Sequence, residues 1–253
     1  MTAYVTAAAV FGPGGFTDDE LGHPGAVADD LLAESLVMRG LRPLSRTARL
    51  AMVAAARVLP VGSETGDRDA VVLGSARSSV APLAEFVQVA AEHGADQVFP
   101  MAFPNTVVSV HVGYVATLLG CTGPALTVCG AHAGLEAVIQ ACGLLASNRA
   151  DRVLAIGADG AEPTVLSGDP DAAEGAAALR LSAVKEENCL AAITGCWTAP
   201  SHDGLPEHER FGAAAGAARV AAAALAVAAD GRSRTVAGPS GVRGVAVVRL
   251  AAA

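Results

Sequence analysis

Short unbroken apolar runs alternate along this chain with longer stretches in which apolar residues return every third or fourth position. Runs of the first kind suit strands covered on both faces, and the second kind suits amphipathic helices. Strands are predicted at Tyr4–Phe11, at Ala70–Gly74, and on either side of a long apolar helix within Gly123–Asp159. Further strands are expected at Glu174–Leu181, Leu190–Thr198 and Gly244–Leu250. Helices are predicted over Arg46–Leu59, Ala81–His93, Thr106–Leu119 behind Pro104-Asn105, and Gly212–Ala229. In the first of these, Leu50, Val53 and Ala54 form one stripe, with Arg46, Arg49 and Arg57 outside it. Leu21–Pro43 reads as an irregular segment holding one short helix, and Ala199–Glu209, with Pro200, Gly204 and Pro206, as a loop. Gly12-Pro13-Gly14-Gly15 ends a strand; no helix pattern follows it, which excludes a phosphate loop.

Strands and helices in alternation imply a layered α/β fold around a largely buried mixed sheet. The composition narrows the partners. A net charge of −8 and a single lysine, Lys185, speak against a nucleic-acid surface. Apolar residues reach 52%, yet no run of eighteen lacks a polar break, so no membrane span is expected. No basic region precedes the first apolar stretch, and the expected location is cytoplasmic. The five cysteines contain no CxxC spacing and read as reduced thiols, with Cys142 and Cys189 as small core residues. Cys196, His202 and His208 fit no standard metal spacing, and neither a metal nor a cofactor is expected. Ser75, Ser78 and Ser79 read as a polar turn and a helix cap, and His23 and His93 as solvated.

Gly123–Asp159 forms strand, tight turn, apolar helix and strand, with Cys129-Gly130-Ala131-His132-Ala133-Gly134 in the turn. This unit resembles the nucleophile elbow of the β-ketoacyl synthases of the thiolase superfamily. Other segments resemble the same family in order: Val71–Ser79, Pro100–Leu119 with its P-x-x-x-P-N, Asp171–Leu181 with Glu174-Gly175-Ala176-Ala177, Phe211–Asp230, and Gly241–Leu250. The resemblance implies a thiolase-like layered α-β-α-β-α fold with a truncated C-terminal half. Residues 1–198 would form the first half with the elbow. Residues 199–253 would form an abbreviated second half within the same compact unit, because the family's long segment shrinks here to the loop between Thr198 and Phe211.

Condensation in that family needs a cysteine thiolate at the helix start, since sulfur is nucleophilic and the helix N-terminus favours its anion. Counting from Gly123-Pro124 puts His132 in that slot, and counting back from the next strand puts Ala131 there; neither is cysteine. The nearby Cys129 is expected within the strand, pointing into packing. The family's catalytic histidine is replaced by Glu209 or Arg210, with His208 out of register, and its lysine is missing. No catalytic residue is therefore expected. By resemblance the chain is a noncatalytic partner subunit, or chain-length factor, that heterodimerises with a full-length ketosynthase. The acyl carrier protein would dock mainly on that partner. Leu83, Phe86 and Phe103 would shape the growing chain's tunnel, with core packing as the other reading of the two rings, and Asn105, Val107, His111 and Tyr114 would lie at the interface. Two alternatives are a stand-alone decarboxylase or acyl-thioester hydrolase using His132, with Glu136 or Glu162 nearby, and a homodimeric scaffold.

Overall fold

A computed structural model describes residues 2–18, 25–36, 44–130, 132–160, 174–200, 212–240 and 244–253 of the chain. Nine strands form one mixed sheet. They are β1 (Ala3–Gly12), β2 (Gly15–Thr17), β3 (Asp69–Ser75), β4 (Ala125–Cys129), β5 (Arg152–Asp159), β6 (Gly175–Ser182), β7 (Ala191–Pro200), β8 (Arg234–Ser240) and β9 (Gly244–Ala251). The order is β4-β3-β5-β6-β1-β7-β9-β8, with β2 folded back on β1. β3 pairs in parallel with β4 and β5, and every other ladder is antiparallel. The helices are α1 (Asp29–Ser35), α2 (Arg46–Val58), α3 (Val80–His93), α4 (Val110–Leu119), α5 (Ala133–Ala146) and α6 (Gly212–Asp230). Two 3-10 segments, Ala95–Gln97 and Pro100–Thr106, connect α3 to α4.

The layers follow from which apolar residues share a core. Helices α1, α2 and α4 cover one face of β1, β3, β5 and β6, where Leu50 and Val53 meet Leu73, Ile156 and Phe11. Helices α5 and α6 cover the opposite face through Leu135, Val138, Ala221 and Val227. All seven residues of β3 are buried, as expected of a strand covered on both sides.

Helix α5 touches β3 and also β8, six strand positions away in the sheet order. A flat sheet would separate those strands by roughly 29 Å, more than twice the 10–12 Å width of a helix. The sheet therefore bends around the α5–α6 layer. The bend falls where β1 leaves β6 for β7: only Ala3–Val5 pair with β7, and both strands shift register there, between Val5 and Ala7 and between Ile193 and Gly195. The second arm, β7–β9, thus closes over α5 and α6 from the far side.

Four of the expected α-β-α-β-α layers are present, and no described helix covers the outer face of the second arm. That face has no need of one. Val236, Val248 and Leu250 point inward and are buried, whereas Thr235 and Arg249, paired across β8 and β9, are exposed. The thiolase-like fold predicted from the sequence is the fold observed, with its second half shortened.

Three local expectations need correction. The predicted helix Thr106–Leu119 begins only at Val110, because Pro104 lies in a 3-10 segment and Val107 turns extended at φ −101°, ψ 119°. Ser79 precedes α3 but makes no side-chain cap. Strand β8 was not anticipated; as an outermost strand it can carry Pro239. The predicted loop Ala199–Glu209 lies outside the described residues from Ser201 onward, as do His23, Glu162, His202 and His208.

Candidate functional site

Glycines decide how closely the elbow is built. A Cβ on Gly74 would sit 2.1 Å from the Ala133 carbonyl oxygen, and one on Gly216 would sit 2.7 Å from the Leu135 nitrogen. The start of α5 is thus pressed between β3 and α6, and neither approach tolerates a side chain. Gly130, at φ +135°, turns the chain and donates its N–H to the Ser75 carbonyl at 3.2 Å. The Ser75 hydroxyl in turn donates to Asp159 at 2.8 Å, and the same carboxylate oxygen accepts from the Ala76 and Arg77 amides at 2.9 and 3.0 Å. Asp159 is buried and ties the ends of β3 and β5 to the elbow.

Strand β4, the Gly130 turn and α5 thus follow one another in the order of an elbow. His132 caps the start of α5, half-buried, with φ −112° and ψ 13°. Ala131 lies outside the described residues. Cys129 overturns one expectation: it is exposed rather than packed. It ends β4, an edge strand of the sheet that pairs, among the described residues, with β3 alone. It also stands four residues ahead of the first residue of α5, away from the amides that would stabilise a thiolate.

The other expected residues divide sharply. His111 is fully buried, with its Nε2 2.8 Å from the Ser45 hydroxyl. Burial pushes its pKa down to about 4, opposed by the Val108 backbone. Ser45 also accepts from the Ala48 amide at 3.2 Å, so this histidine braces the start of α2. Asn105 is buried, and Tyr114 packs partly against the α2 core. Neither His111 nor Asn105 offers a contact surface; of the four expected interface residues, Val107 is the exposed one, at 42%.

Leu83, Phe86 and Phe103 do not belong to the core. Helix α3 buries no residue at all. Leu83 and Phe103 are 47% and 56% exposed, and the Phe86 and Phe103 rings meet edge to face at 5.8 Å. Phe86 lines a groove of about 860 Å³ between α2 and α3, shared with Arg49, Arg77 and Phe99, while Leu83 and Phe103 stand outside it. Around this pair Val80, Val87, Phe99 and Met101 are exposed as well. Sequence reasoning did not single out these four, although their spacing on α3 and the 3-10 segment was available.

Glu174, from the stretch Glu174–Ala177, is fully buried and held by Arg46 at 2.5 and 2.8 Å, with the Val27 amide donating to it at 2.8 Å. Arg46 also bridges to Asp29 and the Val27 carbonyl; its hydrogen bond to Glu174, and then the one to Asp29, raise the Arg46 pKa, and Arg46 in turn lowers that of Asp29. The buried carboxylate thus braces the start of β6 against α2 and the Val27 segment. Among the described residues, no group of three or more His, Cys, Asp or Glu is arranged to hold a metal. No single described helix is long and apolar enough to cross a membrane.

Comparison with known proteins agrees with this geometry. The fold is similar to a chain of the ishigamide ketosynthase/chain length factor, with a TM-score of 0.84 at 19% identity, covering 100% of this chain and 99% of that one. It is similar to a chain of a type II polyketide synthase acyl-carrier protein in complex with its ketosynthase bound to the hexaketide, with a TM-score of 0.78 at 13% identity and coverage of 100% and 99%. A chain of a ketosynthase in complex with its chain length factor from Xenorhabdus doucetiae gives 0.64 at 15%, with 99% of both chains covered. A β-ketoacyl synthase from Burkholderia phymatum gives 0.63 at 15%, but 80% of this chain covers only 65% of that one. No curated protein sequence matches. The β-ketoacyl synthase N-terminal domain matches residues 33–192, well over half of the 253 residues, and the chain belongs to the β-ketoacyl synthase family.

Proposed function

We propose that this chain is a noncatalytic partner subunit that pairs with a complete ketosynthase and shapes the tunnel for its growing chain. One observation carries the reading: neither Ala131 nor His132, the two candidates for the nucleophile position, is a cysteine, while helix α3 exposes its apolar side chains. Val80, Leu83, Val87, Phe99, Met101 and Phe103 are all exposed in this region, and clustered exposed apolar side chains mark protein contacts. The open edge of β4, with Leu126 38% exposed, adds an unpaired ladder of the kind that a second chain completes. The length match points the same way. The chain covers nearly all of the chains from complexes that hold a ketosynthase with a chain length factor or a carrier protein, and only two thirds of the β-ketoacyl synthase.

In this reading the ketosynthase supplies the nucleophile and binds the acyl carrier protein. This chain covers the open side of the tunnel with α3. The Phe86–Phe103 pair forms its floor, because two rings locked edge to face fill space that an aliphatic chain would otherwise enter. The test is co-expression with a ketosynthase encoded beside this chain, followed by mass determination of the purified species. A stable one-to-one heterodimer supports the reading. A soluble homodimer that turns over acyl-thioesters in a His132-dependent way overturns it.

A further inference from the structure

Two of the five cysteines have no part in the elbow or the apolar patch, yet the fold brings them together. On α5, Ile139, Cys142, Gly143 and Ala146 form a stripe at helical spacing that lines a cavity of about 440 Å³. The opposite wall is β7, with Ile193, Thr194, Gly195 and Cys196. Cys196 pairs in register with Val248, which is fully buried against α5 and α6, so its side chain shares that inward face. Both cysteines are half-buried and packed against the same core, and their thiols are within hydrogen-bonding reach of each other. Gly143 leaves open space beside them, since a Cβ there would meet nothing within 4 Å.

We propose that Cys142 and Cys196 form a dithiol oxidation site that a hydroperoxide converts into a disulfide linking α5 to β7. The two sulfurs are not equivalent. The hydrogen bond between them lowers the pKa of Cys196, whereas that bond and burial raise the pKa of Cys142. Here Cys196 acts as the attacking thiolate and Cys142 as the resolving thiol, and the two steps balance equally with the roles exchanged. In the first step the Cys196 sulfur attacks one peroxide oxygen: an S–O bond forms, the O–O bond breaks, and the departing hydroxide takes the proton lost by Cys196 to give water. In the second, the Cys142 sulfur attacks the Cys196 sulfur. An S–S bond forms, the S–O bond breaks, and the leaving hydroxide takes the Cys142 proton as a second water. Two thiols lose two electrons in total and one hydroperoxide gains them; a dithiol reductant reverses the change by exchange.

The bridge would fasten the second arm of the sheet to the helix whose first residue follows the elbow. The experiment uses the full folded chain, freed of reductant, treated with hydrogen peroxide at a few-fold excess, alkylated and digested. The expected result is a peptide cross-linked between Cys142 and Cys196, with free thiols falling from five to three and returning with dithiothreitol. In the Cys142→Ser variant oxidation stops at Cys196, where a sulfenic-acid probe such as dimedone adds. Two outcomes overturn the proposal: no 142–196 cross-link in folded wild-type chain, or Cys129 oxidised while Cys142 and Cys196 stay reduced. The wild-type measurement decides the question even if a variant folds poorly.

Discussion

Helices α2 and α3 are nearly equal in length, 13 and 14 residues, and both read as amphipathic, yet their fates differ. Nine residues of α2 are buried, whereas none of α3 is. Both carry an apolar stripe, so the contrast does not arise from propensity. Helix α2 lies across β1, β5 and β6, where its stripe completes a core, while among the described elements α3 packs mainly on the 3-10 segments that follow it and its stripe stays exposed. An apolar stripe states that a helix needs a cover, and only the tertiary structure states whether the chain provides one.

The contrast breaks if the two stripes prove energetically alike. Leu50→Ala, at a fully buried position, should cost about 2–5 kcal/mol of unfolding free energy, and Leu83→Ala, on the open stripe, under about 1 kcal/mol. Urea denaturation of the isolated chain measures both; equal losses would mean that α3 belongs to the core.

His111 sharpens the α2 side. Its pKa near 4 in the fold, against about 6.5 when unfolded, means that between those values the unfolded chain binds a proton the folded chain does not. Stability from this group is thus complete above pH 6.5 and is lost as the pH falls towards 4, by roughly 3 kcal/mol at most. Denaturation midpoints at pH 7 and pH 5 should separate in the wild type and draw together in His111→Gln.

On the α3 side, Val87→Asp should weaken association with the ketosynthase at least tenfold, equivalent to about 1.4 kcal/mol, with the thermal midpoint of the isolated chain unchanged. Phe103→Ala should lengthen the products of the heterodimer, and an unchanged product distribution would remove the Phe86–Phe103 floor from the argument. The smallest effect concerns Cys129. Iodoacetamide should modify it readily in the isolated chain and slowly in the heterodimer, if the β4 edge is covered there.

Much of the fold was legible before any coordinates. Strands β3 and β5 are continuous apolar runs because both of their faces are covered, and α5 and α6 are apolar nearly all round because they lie between two arms of sheet. The strand-turn-helix order of the elbow was legible too, since Gly130 and the helix after it have few other uses. Less legible were features where one residue type serves opposite ends. His111 reads as a surface histidine on an interface helix, yet it is buried against Ser45. Cys129 reads as packed within a strand, yet β4 is an edge.

By itself, then, the sequence determined the succession of elements, the family and the identities of Ala131 and His132 in the elbow. Each rests on local pattern and residue identity, which neighbours in the chain suffice to express. The tertiary structure decided the bend of one sheet around α5 and α6, the meeting of Cys142 with Cys196, and the exposure of α3. These depend on residues distant in the chain that share a face, and on which faces find no partner within it. Periodicity records that a side is apolar, but burial is a property of what lies opposite.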